Sequence, residues 1–296
     1  MSSANSTFKI TLAVLATWFI WGSTYLAIRF ALLDFRPFEL MGLRFLSAGL
    51  MLLCVCRYLG SRWPTYTEWR HALIVGALML GGGMGSAAFA EQSVSSGLVV
   101  TFIAVSPLIM SLMLIAFGQY PTRRELVGLI IGTSGVIVLA QGQGFHASPA
   151  GLIAVLIGCV TWNLGSVLSR YKIPLTPGVM GYASEMVMGG LVLLGMSAMT
   201  QEHWPSWHSA RAVGAFIFLI IFGSLIAFNA YMYLLERVRP ALTLSYTYVN
   251  PLIGLSLGMW LADETLTQVE AIGAGVILLG LIIALTGRRE NTDAHA

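Results

Sequence analysis

The sequence predicts an all-α integral membrane protein with ten transmembrane helices, built as two inverted five-helix repeats with both termini cytoplasmic. Three observations lead to this fold class: a charge-poor composition, ten long apolar runs, and a second half that repeats the order of residues in the first. In such a fold, a binding site is expected where the two repeats meet.

The composition is that of a protein that lies in a bilayer. Of the 296 residues, 57% are hydrophobic and 10% are charged, and the mean hydropathy is +0.80. A soluble domain carries about 25% charged residues. The net charge of +3 comes from short loops, so nucleic acid is not an expected partner, and a soluble enzyme is disfavoured.

The cysteines and histidines do not suggest a metal site. Cys54, Cys56 and Cys159 fall in apolar runs, where small buried thiols are common, and none has a ligand spacing with a histidine. The five histidines lie in loops, in tails or at a helix edge. We therefore expect neither a metal nor a cofactor.

Ten apolar runs are long enough to cross the hydrocarbon as helices, which takes about 20 residues each. Strands of a membrane barrel would be about half as long and would alternate strictly, which these runs do not. The predicted spans are residues 10–30, 38–57, 71–90, 95–117, 125–141, 149–169, 178–199, 212–234, 241–261 and 269–287.

The positions of the positive charges predict the orientation. With ten spans both termini share one side, and placing them inside puts 12 of the 16 Lys and Arg residues on the inner side and three outside. Positively charged loops stay cytoplasmic, so both termini are predicted inside. A reporter that is active only outside the membrane should stay silent when fused to the C-terminus.

The second half of the chain repeats the first in order. The matched positions are 139 to 145 residues apart, and each half holds five spans, so the second half crosses the membrane in the opposite direction. The predicted repeats are residues 8–141 and 149–288, with a short cytoplasmic tail at 289–296. The matched pairs include Trp21 with Trp162, Arg29 with Arg170, Pro37 with Pro177, Ser106-Pro107 with Asn250-Pro251, and Glu125 with Glu270.

A proline interrupts the fourth span of each repeat, at Pro107 and Pro251. Proline leaves a backbone carbonyl without its usual donor, and a membrane tolerates this where the kink faces a cavity or another helix. We interpret both prolines as candidate hinges beside a central pathway. Kinks that only pack against neighbouring helices are the alternative.

Several short motifs resemble those of the EamA-type drug/metabolite transporters, in particular the bacterial inner-membrane YedA-like branch. They are Trp-Gly-Ser-Thr (Trp21 to Thr24), Leu-Arg-Phe-Leu (Leu43 to Leu46), AYMYL (Ala230 to Leu234), PALTLSYTYVNP (Pro240 to Pro251) and Asp-Glu-Thr-Leu-Thr (Asp263 to Thr267).

The resemblance covers nearly the whole chain. It implies two EamA repeats, efflux of small metabolites, amino acids or drugs, and a location in the bacterial inner membrane. It also implies that spans 1, 3, 4, 6, 8 and 9 surround a central cavity while spans 5 and 10 lie behind it. One position departs from the family pattern, because Gln119 stands in the first repeat where Glu264 stands in the second.

Ten aromatic and polar side chains within the spans are candidate substrate-binding residues. Aromatic rings hold apolar bodies and cations, and amide and hydroxyl groups orient polar ends. Tyr246 and Asn250 lie four residues apart and share a helical face, whereas Tyr248 points elsewhere. The candidates are Trp21, Ser23, Tyr25, Phe102, Ser106, Trp162, Asn163, Asn229, Tyr246 and Asn250.

The aromatic stripe of the first span has an alternative interpretation. Trp21 lies about 18 Å from Lys9 by helical rise, which is too deep for an interfacial belt. Helix packing without contact to a substrate would, however, also explain such a stripe.

Arg44 and Glu185 are ionisable residues deep inside predicted spans, and such residues are functional candidates by default. Their predicted depths differ by about 8 Å in a hydrocarbon core about 30 Å thick, so long side chains on neighbouring helices could meet. The sequence leaves three interpretations open: a structural ion pair, separate packing roles, and coupling to protons or substrate.

These observations predict a secondary transporter that works by alternating access, with proton coupling as one option and no catalytic residue. Export is implied by the resemblance alone. No Gly-x-x-x-x-Gly-Lys-Ser/Thr motif occurs, so direct use of ATP is not expected. The expected partners are a small-molecule substrate and the lipid bilayer, and a homodimer is left open.

Two other classes are weaker alternatives. A channel-like permease would need a filter built by oligomerisation, on which a single sequence is silent. A membrane-embedded enzyme would need an activated nucleophile or two deep aspartates. Gly132-Thr133-Ser134-Gly135 partly matches an intramembrane serine protease motif, but no deep histidine could activate the serine, and the aspartates are peripheral.

Overall fold

The computed structural model describes residues 2–94, 99, 103–141, 148–202, 209–262 and 267–286. The regular elements in these ranges are helices, in agreement with the predicted all-α class. A helical turn, Pro240–Thr243, precedes the ninth helix. The helices are α1 Ser2–Ala31, α2 Pro37–Tyr58, α3 Tyr66–Ala90, α4 Ser106–Ile115, α5 Arg123–Gln141, α6 Pro149–Tyr171, α7 Val179–Met199, α8 Ala210–Arg237, α9 Tyr246–Ala262 and α10 Gln268–Thr286.

Within the described ranges, six helices are long and apolar enough to cross a membrane: α1 from Ser6, α2, α3, α6, α7 and α8. The α4 helix and the stretch Ala271–Thr286 of α10 are shorter apolar helices. The predicted fourth span, residues 95–117, is not one continuous helix, because a turn at Ala104 and Val105 precedes α4. The count of ten spans and the orientation of the termini stay predictions.

The two candidate hinges differ in their surroundings. Pro251 lies inside α9, where it interrupts the backbone ladder. Pro107 lies in the first turn of α4, where the missing N–H would have had no intrahelical partner anyway. The interruption in the first repeat is therefore the turn before the proline, and a hinge role for either residue stays a prediction.

The third helix of each repeat contains a π-helical segment, which the sequence analysis did not predict. The segments are Ala77–Gly85 within α3 and Leu219–Phe228 within α8. They stand at matching places, since Ala77 and Leu219 are 142 residues apart, inside the offset range of the repeat. Such segments occur frequently at functional sites.

Equivalent helices of the two repeats pack against each other, α5 along α10 and α2 along α7. Glycines allow the backbones to approach closely. A Cβ on Gly280 would lie 2.3 Å from the backbone nitrogen of Gly132, and one on Gly190 would lie 2.6 Å from that of Leu46. Small residues at helix interfaces are the usual means of close packing in membranes, and these two interfaces join the halves.

Candidate functional site

A cavity lies among α1, α2, α3, α6 and the first residues of α4 and α9. Sites for small molecules are typically concave and mostly apolar, with a few polar groups. Most of the lining is apolar. The aromatic lining residues are Trp21, Tyr25, Trp162 and Tyr246, and the polar and charged ones include Thr24, Arg44 and Ser106.

Trp21 is the centre of the aromatic wall. Its ring centroid lies 4.8 Å from that of Tyr246, 5.3 Å from that of Tyr231 and 5.7 Å from that of Trp162. The contacts with Tyr246 and Trp162 are edge-on, a favourable geometry for aromatic pairs. The Trp21 indole donates a hydrogen bond to the Gly223 carbonyl at 3.2 Å, so both the face and the edge of this ring are fixed.

The polar edge of the same wall is fixed by Tyr231. Its hydroxyl accepts a hydrogen bond from the Trp162 indole at 3.1 Å and lies 2.8 Å from the Ser166 hydroxyl. Tyr231 is fully buried. The wall is therefore preorganised by hydrogen bonds between α6 and α8, and a ligand would not have to order it.

Arg44 brings a buried cation to the cavity. Its Nε donates to the Ser224 hydroxyl at 2.7 Å, and its Nη1 lies 3.6 Å from the Met41 sulfur. The remaining nitrogen, Nη2, has no hydrogen-bond partner among the described residues. The side chain is 1% exposed yet lines the cavity.

An ion pair between Arg44 and Glu185, one of the three interpretations that the sequence left open, is not formed. Glu185 is fully buried on α7, and neither of its carboxyl oxygens has a hydrogen-bond partner among the described residues. The guanidinium of Arg44 instead turns to α8, where it meets Ser224. The helices α2 and α7 are neighbours, and Tyr231 of α8 also lies close enough to Glu185 to interact with its charge.

The structure brings five of the predicted substrate-binding residues to the cavity: Trp21, Tyr25, Ser106, Trp162 and Tyr246. Phe102 lies outside the described residues. A role of these residues in substrate binding stays a prediction, because no ligand contact is seen.

Three predicted polar candidates use their groups locally. The Ser23 hydroxyl donates to the Ile20 carbonyl at 2.7 Å, the Asn163 amide to Cys159 at 2.7 Å and the Asn229 amide to Leu225 at 3.0 Å. Each bond returns to the preceding turn of the same helix, a common way to satisfy a polar side chain in an apolar helix. These three residues are not among those that line the cavity.

Asn250 is buried just behind the cavity, on the same face of α9 as Tyr246. Its amide is close to the Tyr25 hydroxyl, but neither of its polar atoms completes a hydrogen bond with the described residues. Tyr248, two residues away, instead donates to the Leu129 carbonyl of α5 at 3.2 Å. The predicted separation of Tyr246 and Tyr248 onto different faces is confirmed.

Sequence reasoning missed Tyr231 and the lining position of Arg44. On α8 it chose Asn229, but Tyr231 is the residue that contacts Trp21. A face assignment that assumes α-helical spacing fails beyond the π segment that ends at Phe228. The AYMYL motif was a signal for Tyr231, although it does not give the face.

The two halves of the chain also contact each other outside the cavity, towards the start of α1. The cavity residues of α1 lie in its second half, from Trp21 to Ile28. Towards the start of α1, the Trp18 indole donates to the Ser245 hydroxyl at 2.8 Å. Further contacts join the halves: a ring pair of Phe117 and Tyr171 at 5.2 Å and an ion pair of Glu125 and Arg239 at 3.6 Å.

Comparison with known proteins gives the family. The model of the EamA-like transporter family matches residues 8–141 and 149–286, once in each half. The chain is 38% identical to the Uncharacterized inner membrane transporter YedA of Escherichia coli (strain K12) over 277 residues, which are 93% of this chain and 90% of that protein. It is 26% identical to Protein PecM of Dickeya dadantii, over 89% of this chain and 88% of that protein.

A solved crystal structure has the same fold. It superimposes with a TM-score of 0.74 at 21% identity and covers 93% of this chain and 96% of its own. This likeness concerns the fold alone, whereas the family match spans both repeats. The chain belongs to the EamA-like transporter family and is a membrane transporter.

Proposed function

We propose that this protein is a secondary carrier of the bacterial inner membrane that exports small metabolites, amino acids or amphipathic drugs by alternating access. The observation that carries the proposal is a preorganised aromatic cavity that the two repeats close at one end. The inner-membrane location is supported by the likeness to YedA. Export is supported only by the resemblance to drug/metabolite transporters.

The conformation fits one state of an alternating-access cycle. With ten spans and the termini inside, α1 runs outward, so the cavity lies in the outer half of the bundle. The contacts of Trp18 with Ser245 and of Glu125 with Arg239 then close the inner half. Rocking of the repeats would break these cross-repeat contacts and open the cavity inward, with Pro251 and the turn before Pro107 as the flexible points.

A counterflow experiment tests the carrier against the channel-like permease. A thermal-shift screen of the purified protein against amino acids, organic acids and amphipathic amines selects a stabilising compound. Proteoliposomes are then loaded with that compound unlabelled and supplied with the labelled form outside. A carrier gives saturable uptake that is accelerated by internal compound. Uptake that stays linear with concentration and indifferent to the internal compound would favour the channel.

Replacing Glu185 with glutamine is expected to abolish the pH dependence of this transport while leaving the protein folded. A fully buried carboxylate without a hydrogen-bond partner carries a large desolvation penalty unless a proton neutralises it. Of the neighbouring elements, α8 presents Tyr231, which is hydrogen-bonded to the cavity wall, and α2 presents Arg44, which is turned to Ser224. The rate of counterflow is measured between pH 5.5 and 8.5.

Ser184→Ala is the matched control for this prediction. Ser184 is buried beside Glu185 on α7, and its hydroxyl donates to the Gly181 carbonyl of its own helix at 2.8 Å. This variant should keep the wild-type pH profile. If the Glu185→Gln variant also keeps it, Glu185 has no part in coupling and the proton-coupled form of the proposal fails.

A further inference from the structure

We propose that Arg44 binds the carboxylate of the transported molecule, and that the substrate is a carboxylate attached to an apolar, preferably aromatic, body. This inference rests on the proposed function and names the substrate class of the same site. It assigns Arg44 to substrate recognition rather than to an ion pair inside the protein.

The first argument is that Arg44 has no counterion among the residues that the structure describes. It is 1% exposed, and the ion pairs among the described residues join Arg62 with Glu68, Arg237 with Glu236, and Arg239 with Glu125. Burying a cation is costly unless it is paired and hydrogen-bonded. Within the described part of the chain, the hydrogen-bond partners of Arg44 are a hydroxyl and a thioether, so an anion would complete its environment.

The second argument is that the free part of the guanidinium is held in place on a side chain that lines the cavity. Ser224 fixes Nε, and the Phe45 ring lies 4.7 Å from the central carbon. Space for Nη2 depends on Gly223, because a Cβ at that position would lie 2.6 Å from it. The unpartnered nitrogen therefore belongs to an anchored side chain that lines the cavity.

The third argument concerns the rest of the lining. Among the described residues that line the cavity, Arg44 is the only one with a full charge, and Trp21, Trp162 and Tyr246 supply aromatic faces. One guanidinium suits one planar carboxylate, which it can bind through two parallel hydrogen bonds. A polyanion would need further cations, and a simple ammonium group would be repelled. The chemistry thus favours an amphipathic monocarboxylate.

The same chemistry is offered by a zwitterionic amino acid and by a carboxylic acid without an amine. A matched set of probes distinguishes them: L-phenylalanine, 3-phenylpropanoate, 2-phenylethylamine and 3-phenylpropanol. All four carry the same ring and differ in the head group. The measurement is the concentration-dependent shift in unfolding temperature of the purified full chain in detergent. We expect stabilisation by one or both carboxylates and none by the amine or the alcohol at the same concentration.

Arg44→Met is the main variant. It keeps much of the length of the side chain and removes the charge, so without probe it should be as stable as the wild type, or more stable. Carboxylate binding should weaken at least tenfold, as is usual for the loss of a charge-assisted hydrogen bond, about 1.5–3 kcal/mol. Retained carboxylate binding in Arg44→Met would overturn the proposal, and so would stabilisation of the wild type by the amine or alcohol but by neither carboxylate.

A pair of glycine variants on α8 decides the matter if Arg44→Met does not fold. Gly223→Ala places a methyl group against Nη2, whereas Gly214→Ala adds one in open space, with no atom within 4 Å. Gly223→Ala should weaken carboxylate binding severalfold, and Gly214→Ala should not. Equal binding by the two variants counts against Arg44, as does the absence of a shift with either carboxylate.

The outcomes also separate this inference from the carrier proposal. Carboxylate binding that depends on Arg44, without counterflow in proteoliposomes, would support the role of Arg44 in recognition and contradict the carrier proposal. Counterflow of the amine or the alcohol, without carboxylate binding, would support the carrier proposal and contradict the role of Arg44 in recognition.

Discussion

Replacing Trp21 with alanine is expected to reduce transport to the background of empty liposomes. Trp21 is 3% exposed and contacts the rings of Trp162, Tyr231 and Tyr246, so its loss removes the centre of the wall that would hold the apolar body of a substrate. Truncation of a buried tryptophan also costs about 3–5 kcal/mol of folding free energy. Counterflow must therefore be measured together with the unfolding temperature and the elution profile of the detergent-solubilised protein.

Two further variants separate the loss of the site from the loss of the fold. Trp21→Phe keeps an aromatic ring but removes the N–H that donates to Gly223, and it should transport at a reduced rate. Trp63 is exposed between α2 and α3, so Trp63→Ala should transport normally. If Trp21→Ala is folded and transports at the wild-type rate, the ring only packs, and the cavity is not the substrate site.

Replacing Gly280 with alanine is expected to destabilise the protein, whereas the same change at Gly275 of the same helix is not. A Cβ at Gly280 would lie 2.3 Å from the backbone nitrogen of Gly132, while one at Gly275 would meet no atom within 4 Å. Overpacking of this kind costs about 1–3 kcal/mol. At the open position, alanine is favoured over glycine in a helix by about 0.5–1 kcal/mol.

The unfolding temperatures of the two variants in detergent test this contrast. Because the substitution, the helix and the method are identical, only the neighbour across the α5–α10 interface differs. Equal unfolding temperatures for Gly280→Ala and Gly275→Ala would show that this interface does not hold the two repeats as closely as the structure indicates.

The composition, and the order of residues that the second half repeats from the first, predicted most of the fold. Apolar runs of about twenty residues leave helices as the only option in a bilayer, and the matched pairs, such as Trp21 with Trp162, place both of these tryptophans in one ring cluster. The π segments could not be read from the sequence, because apolar residues are equally acceptable in α and π turns of a membrane helix. The short α4 was missed for a similar reason, since hydropathy does not report a break in the backbone.

The candidate site was predictable for aromatic side chains and less so for polar ones. Buried tryptophan and tyrosine rings commonly pack against other rings, as Trp21 and Tyr246 do. A serine or asparagine side chain can instead donate a hydrogen bond to a backbone carbonyl of the preceding turn, as Ser23 and Asn163 do. The partner of a deep charge depends on the rotation of its helix, which an argument from depth does not give. Of the three interpretations left open for Arg44 and Glu185, the ion pair is therefore the one that the structure does not show, even though their helices are neighbours.

Because α8 contains a π segment, the number of residues in that helix decides which of its later side chains face the aromatic wall. An α-helix turns about 100° per residue, so deletion of a single residue between Leu219 and Phe228 would rotate Tyr231 away from Trp21 while leaving the hydropathy of the helix unchanged. Exposed side chains in this stretch, such as Ile221 and Ile226, can be exchanged for other apolar ones, but the length of the stretch cannot change without redirecting every side chain that follows. Variation in this protein should therefore accept apolar substitutions at the exposed positions of Leu219–Phe228 and reject insertions and deletions there.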